Sequence, residues 1–371
     1  MGLDTADHTD LRIDSPPVES RGKEMGEKVR VALVGYGYWG PNYARVLSEL
    51  PEAQIVAISE LSPQLRQRAQ ARHSQAEVVE SLSEVLKRKD VDAVVISTPA
   101  TTHYELASAA LKAGRHVLVE KPLSLHVEQC EELGELAKRA GRVLLVAHTF
   151  LYNAGIRKMK ECMSASDFGN VYYLHSTRTN LGPIRQDVNA VWDLAPHDVS
   201  IFAYLLDQTP EWVSAVGARV LGNSREDVAF ISLGYADGVL GNIHVSWADP
   251  NKVREVVAVG SGRRVVFDDL SDLERVRIYE KGVAVNGGIA ESYGEFKLLV
   301  RDGDIISPRI PPSEPLKNQC AEFLNAVRNV GRVLSDARFA TGVVRTLLAV
   351  DASMRAHGAA QEVMSGVARS A

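Results

Sequence analysis

From Val29 to about residue 150, short runs of β-branched and apolar residues alternate with longer amphipathic ones. VRVALVG leads into NYARVLSEL, QIVAIS into SPQLRQRAQARH, and VDAVVIST into THYELASAALKAG. Runs of the first kind suit a pleated surface, and those of the second repeat apolar positions at helical spacing, so strand and helix alternate. HVLVE and VLLVAH, separated by EQCEELGELAKRAG, add further strands. This succession predicts an α/β fold with a Rossmann-type, doubly wound parallel sheet. Local signals agree: Ser81-Leu-Ser-Glu84 has capping-box spacing ahead of a helix, and Gly114 and Gly141 stand where a helix ends in a left-handed residue.

Beyond residue 150 the rhythm changes. VYYLHSTRT, EWVSAVGARV, VAFISLGY, VLGNIHVSW, REVVAVGS and RRVVFDD follow mostly over short connections, among them the turns Ala236-Asp-Gly238 and Gly260-Ser-Gly262. They predict an α+β domain with an open, mostly antiparallel sheet, covered on one face by helices near 152–166, 196–207, 316–330 and 337–356. The expected organisation is a disordered extension over residues 1–28, a dinucleotide-binding domain over 29–150, and a substrate-binding and oligomerisation domain over 151–371 whose C-terminal helices pack back toward the first domain. Apolar side chains fall on both faces of the second sheet while few helices can cover them. A homodimer or homotetramer joined through that sheet is therefore expected.

At 371 residues the chain has room for two cores, and 45% hydrophobic with 24% charged residues is a globular composition. A net charge of -5 without a long basic block argues against a nucleic-acid partner. No apolar run approaches the roughly 20 residues that span a bilayer. No signal-like segment opens the sequence, so a cytoplasmic protein without membrane partners is expected. Cys130, Cys162 and Cys320 are odd in number and outside any C-x-x-C pair; they read as reduced structural thiols, and no metal is expected.

Candidate chemistry begins at Gly35-x-Gly37-x-x-Gly40, which follows an apolar strand and precedes Tyr43, Val46, Leu47 and Leu50 at helical spacing. In that setting Gly35 makes the turn, Gly37 lets backbone approach a pyrophosphate, Gly40 lets the helix pack, and the helix N-terminus faces the anion. Pro41 suits the first turn, where its missing N–H is no loss. Glu60 ends QIVAISE, where a carboxylate accepts hydrogen bonds from a ribose 2′-hydroxyl. That favours NAD over NADP, whose 2′-phosphate it would repel.

The third predicted strand ends in Ser97-Thr-Pro-Ala-Thr-Thr-His103 and the fourth in Glu120-Lys-Pro122. A lysine in Glu-Lys-Pro after the fourth strand of a dinucleotide domain, followed by an antiparallel second domain, resembles the Gfo/Idh/MocA family of sugar and polyol oxidoreductases over residues 29–356. GYGYWGPN, EKPLS, Asn180-Leu-Gly-Pro-Ile-Arg185 and Trp192-Asp-Leu-Ala-Pro-His-Asp198 are similar to the branch acting on nucleotide-linked sugars, which includes 3-dehydrogenases and deoxysugar 3-ketoreductases. The resemblance implies that NAD is held by Gly35, Gly37, Tyr38, Trp39, Gly40 and Glu60, by Thr98, Pro99, Thr102 and His103, and by Glu120 and Lys121. It implies a catalytic set of Lys121, His197 and Asp193. The expected substrate contacts are these three with His148, Asn153, Arg178, Asn180 and Arg185.

The residue types suit those roles. A buried Lys121 near an oxidised nicotinamide would have a depressed pKa and exchange a proton with a sugar hydroxyl; an ion pair with Glu120 is the structural alternative. Asp193 and His197, four apart, share a face if a helix already runs there. Pro196 instead predicts a helix start close to the histidine, whose place at the positive end would keep it neutral. The family's commoner Asp-x-Gly-x-His-x-x-Asp pattern is altered, with Ala195 for the glycine and Ser200 for the second acid, although Asp198 adjoins the histidine. Arg178, Asn180 and Arg185 flank the Gly182-Pro183 break, in a loop whose arginines suit phosphates and carboxylates. The expected activity is NAD-dependent hydride transfer at C3 of a nucleotide-linked sugar. The alternatives are an NAD(P)H-dependent deoxysugar 3-ketoreductase, a free sugar or cyclitol dehydrogenase, and a non-catalytic dinucleotide-binding regulator, which would need neither Lys121 nor His197.

Overall fold

The structure, a computed structural model, describes residues 27–363 apart from 183, 186–187, 223, 286–297, 302 and 330. The extension expected over residues 1–28 thus falls almost wholly outside the described residues, as does Pro183 of the loop break.

The first half builds β1 (Val29–Val34), α1 (Gly40–Glu49), β2 (Ala53–Ser59), α2 (Pro63–Arg72), β3 (Glu77–Val79), α3 (Leu82–Lys87), β4 (Ala93–Ile96), α4 (His103–Lys112), β5 (His116–Val119), α5 (Val127–Ala140) and β6 (Leu144–Val146). The six strands run parallel in the order β3-β2-β1-β4-β5-β6. β4 and β5 are buried at every position, as strands covered by helices on both faces must be. Ser81 and Glu84 form the capping box at α3, and Gly114 and Gly141 take φ of 72° and 60° after their helices. Only β3 escaped sequence reading, because three partly exposed residues carry no period. The strand order reverses between β1 and β4, so the loops leaving both open on one crevice.

The second half builds α6 (Ala154–Ser164), β7 (Val171–Thr179), α7 (Ala190–Leu206), β8 (Trp212–Ala218), β9 (Val228–Gly234), β10 (Leu240–Ser246), β11 (Val253–Gly260), β12 (Arg264–Asp268), β13 (Val276–Tyr279), β14 (Gly282–Val285), β15 (Leu298–Arg301), β16 (Ile305–Ile306), α8 (Pro315–Asn329), α9 (Ala337–Arg355) and β17 (Gln361–Glu362). Nine strands form a sheet in the order β16-β13-β12-β11-β7-β10-β9-β8-β17, antiparallel except between β7 and β10, while β14 and β15 pair separately. α7 lies against β10 and α9 against β8, burying Val213, Ile231 and Ile243. On the opposite face Tyr173, Val216, Phe230 and Leu240 stand exposed. α8 returns to α1, where Lys317 pairs with Glu49 at 3.0 Å, and α9 returns to α5, where Arg345 pairs with Glu131.

One helix starts earlier than Pro196 predicts. α7 begins at Ala190, capped by Asn189, whose Oδ1 accepts from Trp192 N at 3.0 Å, with Asp193 in its first turn. Pro196 therefore lies inside the helix, where it leaves one carbonyl without its usual donor. Cap, dipole and burial offset that cost: most residues of α7, on every side, are buried.

The three cysteines are buried free thiols, and burial pushes Cys130 up to about 12. No helix among the described residues is long and apolar enough to cross a membrane.

Candidate active site

The glycine loop leaves β1 and turns into α1. Gly35 has a φ of 91°, and a Cβ there would meet Ser97 O at 2.8 Å; a Cβ on Gly40 would run into the Gly35 carbonyl. Both glycines are demanded by close backbone approach. Gly37 differs, since a Cβ there meets nothing within 4 Å and faces open space. The start of α1 has no side-chain cap and no acid in its first turn, so its positive dipole end suits an anion. Beside the loop, Glu60 accepts from Tyr36 N at 2.6 Å and from Ser62 N at 2.8 Å. Arg66 reaches back to the carbonyls of Glu60 (2.8 Å) and Leu61 (2.7 Å) and pairs with Glu80, so the nearest cation is already engaged. Packed glycines, open space at Gly37, an uncapped helix and a fixed carboxylate fit a dinucleotide.

That open space continues into a cavity of about 540 Å³. One wall is Gly37, Tyr38, Trp39, Thr98 and Pro99; the other is Arg185, Trp192, Asp193, His197 and Arg254, with Glu120 and Lys121 between. Lys121 Nζ donates to the main-chain carbonyl of Asp193 at 2.9 Å, joining the end of β5 to α7. Burial draws this ammonium below the usual lysine range, opposed by Asp193 and Glu120 and helped by Arg185 and Arg178. Burial holds His197 well below the ordinary imidazole value, with Lys121, Arg178 and Arg254 adding to the effect. Its Nδ1 is buried without a partner, and its ring meets Phe150 edge-on at 5.1 Å.

Lys121 and Glu120 do not form a side-chain ion pair. Glu120 Oε1 accepts from Tyr43 Oη at 2.7 Å and Oε2 from Lys121 N at 3.1 Å; burial raises this carboxyl. Tyr43 in turn accepts from Gln319 Nε2 at 3.3 Å, and Gln319 Oε1 accepts from Thr149 at 2.9 Å. A buried chain thus ties α8 and α1 to the loop that carries Lys121.

Several expected contacts fall elsewhere. Arg178 lies within β7, inside the run VYYLHSTRT, rather than on the loop that follows it; it is 1% exposed and grips Asp198 through two hydrogen bonds of 2.7 and 3.1 Å. That pairing takes Asp198 from His197. Asn153 caps α6 through Gly155 N and donates to Asp269, and Asn180 Nδ2 donates to Gly182 O. His148 is buried with both ring nitrogens unpartnered and held down to about 3 by burial, near Lys121 but outside the cavity wall. His103 braces the walls, bridging Pro122 O (2.7 Å) and Thr98 O (2.9 Å), and Thr102 bonds Thr98 and Pro99. Asp193 and His197 do share the face of α7, yet the acid's oxygens meet Arg185 (3.3 Å) and Trp247 Nε1 (3.2 Å) rather than the imidazole. Nor does a helix end neutralise His197, because α7 starts ahead of it. Arg254, Trp247, Tyr43 and Gln319 were not foreseen; the two in β11 and after β10 read only as strand residues.

Residues 29–148 match the oxidoreductase family with an NAD-binding Rossmann fold, and residues 156–266 match the GFO/IDH/MocA C-terminal domain. The chain belongs to the Gfo/Idh/MocA family. It is similar to the UDP-N-acetylglucosamine 3-dehydrogenase of Acidithiobacillus ferrooxidans, 25% identical over 88% of this chain and 98% of that one. It is also similar to the myo-inositol 2-dehydrogenase of Thermotoga maritima, 26% identical over 68% and 79%. The match to the uncharacterised oxidoreductase YdgJ of Escherichia coli is 32% identical but spans 50% of this chain and only 53% of that relative. Among solved structures, GenD2 from gentamicin A biosynthesis, in complex with NAD, superposes with a TM-score of 0.77 at 26% identity, covering 93% of this chain and 99% of that one. As a Gfo/Idh/MocA protein the chain is an NAD-binding oxidoreductase, and the geometry of its glycine loop, Glu60 and cavity is compatible with such a cofactor.

Proposed function

We propose that this Gfo/Idh/MocA oxidoreductase oxidises or reduces C3 of a nucleotide-linked sugar, with Lys121, His197 and Asp193 as its working residues. The observation that carries this reading is that Lys121 and His197 share one cavity with Gly37, Tyr38 and Trp39. Bound NAD supplies the hydride acceptor or donor. In the oxidative direction the carbinol C–H bond breaks as its electron pair leaves with the hydride, the C=O bond forms, and the hydroxyl proton passes to Nε2 of a neutral His197. The Lys121 ammonium polarises that hydroxyl oxygen; Asp193 holds Lys121 through its carbonyl and Arg185 and Trp247 through its carboxylate. The likeness to the UDP-N-acetylglucosamine 3-dehydrogenase supports the nucleotide-sugar and the position. A free cyclitol is the second reading, favoured by the likeness to the inositol dehydrogenase. Nucleotide-sugars and myo-inositol, offered with NAD while reduced nicotinamide absorbance is followed, decide between them. Turnover confined to cyclitols would overturn the first.

The same reading assigns residues 29–150 to the dinucleotide and 151–371 to substrate and subunit contacts. Val216, Phe230 and His244 lie side by side across β8, β9 and β10, and Leu240 lies opposite Tyr173 of β7. Such an apolar face supports pairing of like sheets in a homodimer or homotetramer. Three buried free thiols suit a reducing, cytoplasmic setting.

A further inference from the structure

Arg254 stands directly opposite Arg178 where β11 and β7 run antiparallel. Cross-strand partners project from the same face, and like charges so placed repel. Arg178 is neutralised by Asp198. Arg254 is not: its guanidinium makes no hydrogen bond or ion pair among the described residues, although it lines the cavity beside His197 and Asp193. The acids whose charge reaches it are Asp269, Asp198 and Asp193. Each is engaged elsewhere, Asp269 with Asn153, Asp198 with Arg178, and Asp193 with Arg185 and Trp247. Burial, with Arg178 beside it, draws Arg254 below the usual arginine range. Nearby, Arg178 Nη1 and His197 Nδ1 are buried polar atoms without partners. A half-buried cation next to another cation, with no counter-ion among the described residues, is a local conflict that their packing does not resolve. Conflicts of that kind concentrate where a ligand completes the site.

We propose that Arg254 is the counter-ion for an anionic group of the substrate, a ring carboxylate or the nucleotide diphosphate, making it a specificity-determining residue for substrates that carry that anion. This rests on the nucleotide-sugar reading above and deepens it. A guanidinium presents paired N–H groups that match the two oxygens of a carboxylate or the oxygens of a phosphate. Either a carboxylate on the sugar ring or the diphosphate of the nucleotide supplies such oxygens. Its place beside His197 sets Arg254 close to the reacting carbon.

The test compares the wild-type protein with Arg254→Gln and Arg254→Lys on a nucleotide-linked hexuronate, the matching nucleotide-linked hexose, and the two free sugars. Calorimetric binding to the NADH-loaded protein is measured alongside turnover. Loss of a buried charge-assisted contact lowers affinity by at least about thirtyfold, so Arg254→Gln should weaken every substrate bearing the recognised anion by that factor, and Arg254→Lys by less. Weakening of the hexuronates alone supports the ring carboxylate; equal weakening of both nucleotide-linked sugars, with the free ones unmoved, supports the diphosphate. Equal affinity of wild type and Arg254→Gln for all four, with NADH binding retained, overturns the proposal. So does an equal loss that includes the free neutral hexose. If acidic sugars bind in an Arg254-dependent way but none is oxidised, the assigned reaction falls and this inference stands; turnover indifferent to Arg254 gives the reverse.

Discussion

Gly37 and Gly40, three residues apart where the loop enters α1, should respond to substitution in opposite ways. Gly37→Val introduces a side chain where nothing lies within 4 Å, at a residue whose φ is outside the left-handed range. Its effect on folding should stay within about 0.5 kcal/mol. The same side chain occupies the space a pyrophosphate needs, so NADH affinity should fall at least tenfold, about 1.4 kcal/mol or more. Gly40→Ala is the converse: its Cβ would overlap the Gly35 carbonyl oxygen and lie 3.1 Å from the carbonyl carbon, both backbone atoms that cannot rotate aside. The start of α1 must then move off the turn, an overpacking cost of about 1–3 kcal/mol. For a unit of this size that is a fall in Tm of roughly 3–10 °C, with binding lost as well. Thermal melts without ligand, paired with NADH titrations read through tryptophan fluorescence, separate the two. A Gly37→Val protein that binds NADH normally, or a Gly40→Ala protein that melts like wild type, would refute the reasoning.

Four further outcomes are expected. Lys121→Ala and His197→Ala should each cut kcat by about 10²–10⁴-fold with NADH binding retained; near-normal single-turnover rates in both would remove the acid–base assignment. His197 works neutral and its pKa is lowered, so kcat/KM should fall only at a pH below the ordinary imidazole range; Lys121 works charged and is also lowered, so the alkaline fall should come before the ordinary lysine range. A kcat/KM that drops between pH 6 and 7, about the unperturbed imidazole pKa, in the wild type but not in the residual activity of His197→Ala, would contradict this. Asp198→Ala strands Arg178 as a buried charge and should cost about 3–5 kcal/mol in denaturant unfolding, whereas Phe230→Asp should leave the fold and yield monomers by light scattering. An unchanged unfolding midpoint, or an oligomer that survives Phe230→Asp, would count against each.

The dinucleotide half was legible because its information is local. Gly35, Gly37 and Gly40 act through backbone conformation and clearance, Glu60 through its place at the end of β2, and Ser81 with Glu84 through a capping pair three residues apart; sequence spacing states each of these directly. β3 was lost because a strand held by parallel pairing to β2 alone needs no period of its own. The substrate side depends instead on partners far apart in the chain. Arg178 in a basic stretch before a turn reads as a loop cation, yet Asp198 claims it across 20 residues and from another element. Gln319 lies 276 residues from the tyrosine it meets. Nothing in either neighbourhood announces such a pairing.

Pro196 shows how a correct local rule loses to tertiary context and changes the chemistry in doing so. A proline disfavours helix at its own predecessor, which is why the helix was expected to start near His197. The cap at Asn189, the acid in the first turn and burial around α7 outweigh that preference, and the helix runs through from Ala190. Its early start places Asp193 and His197 on one face of a continuous helix, with the Asp193 carbonyl also accepting from Lys121. The histidine then owes its neutrality to burial and to Lys121, Arg178 and Arg254 around it, not to the helix end. The source of that neutrality matters for tuning. A dipole would act on His197 whether or not substrate were present, whereas a field from Arg254 is cancelled when an anionic substrate pairs with it. On that account His197 becomes more basic as an acidic substrate binds, so the ground state of the complex holds a better proton acceptor than the free protein does.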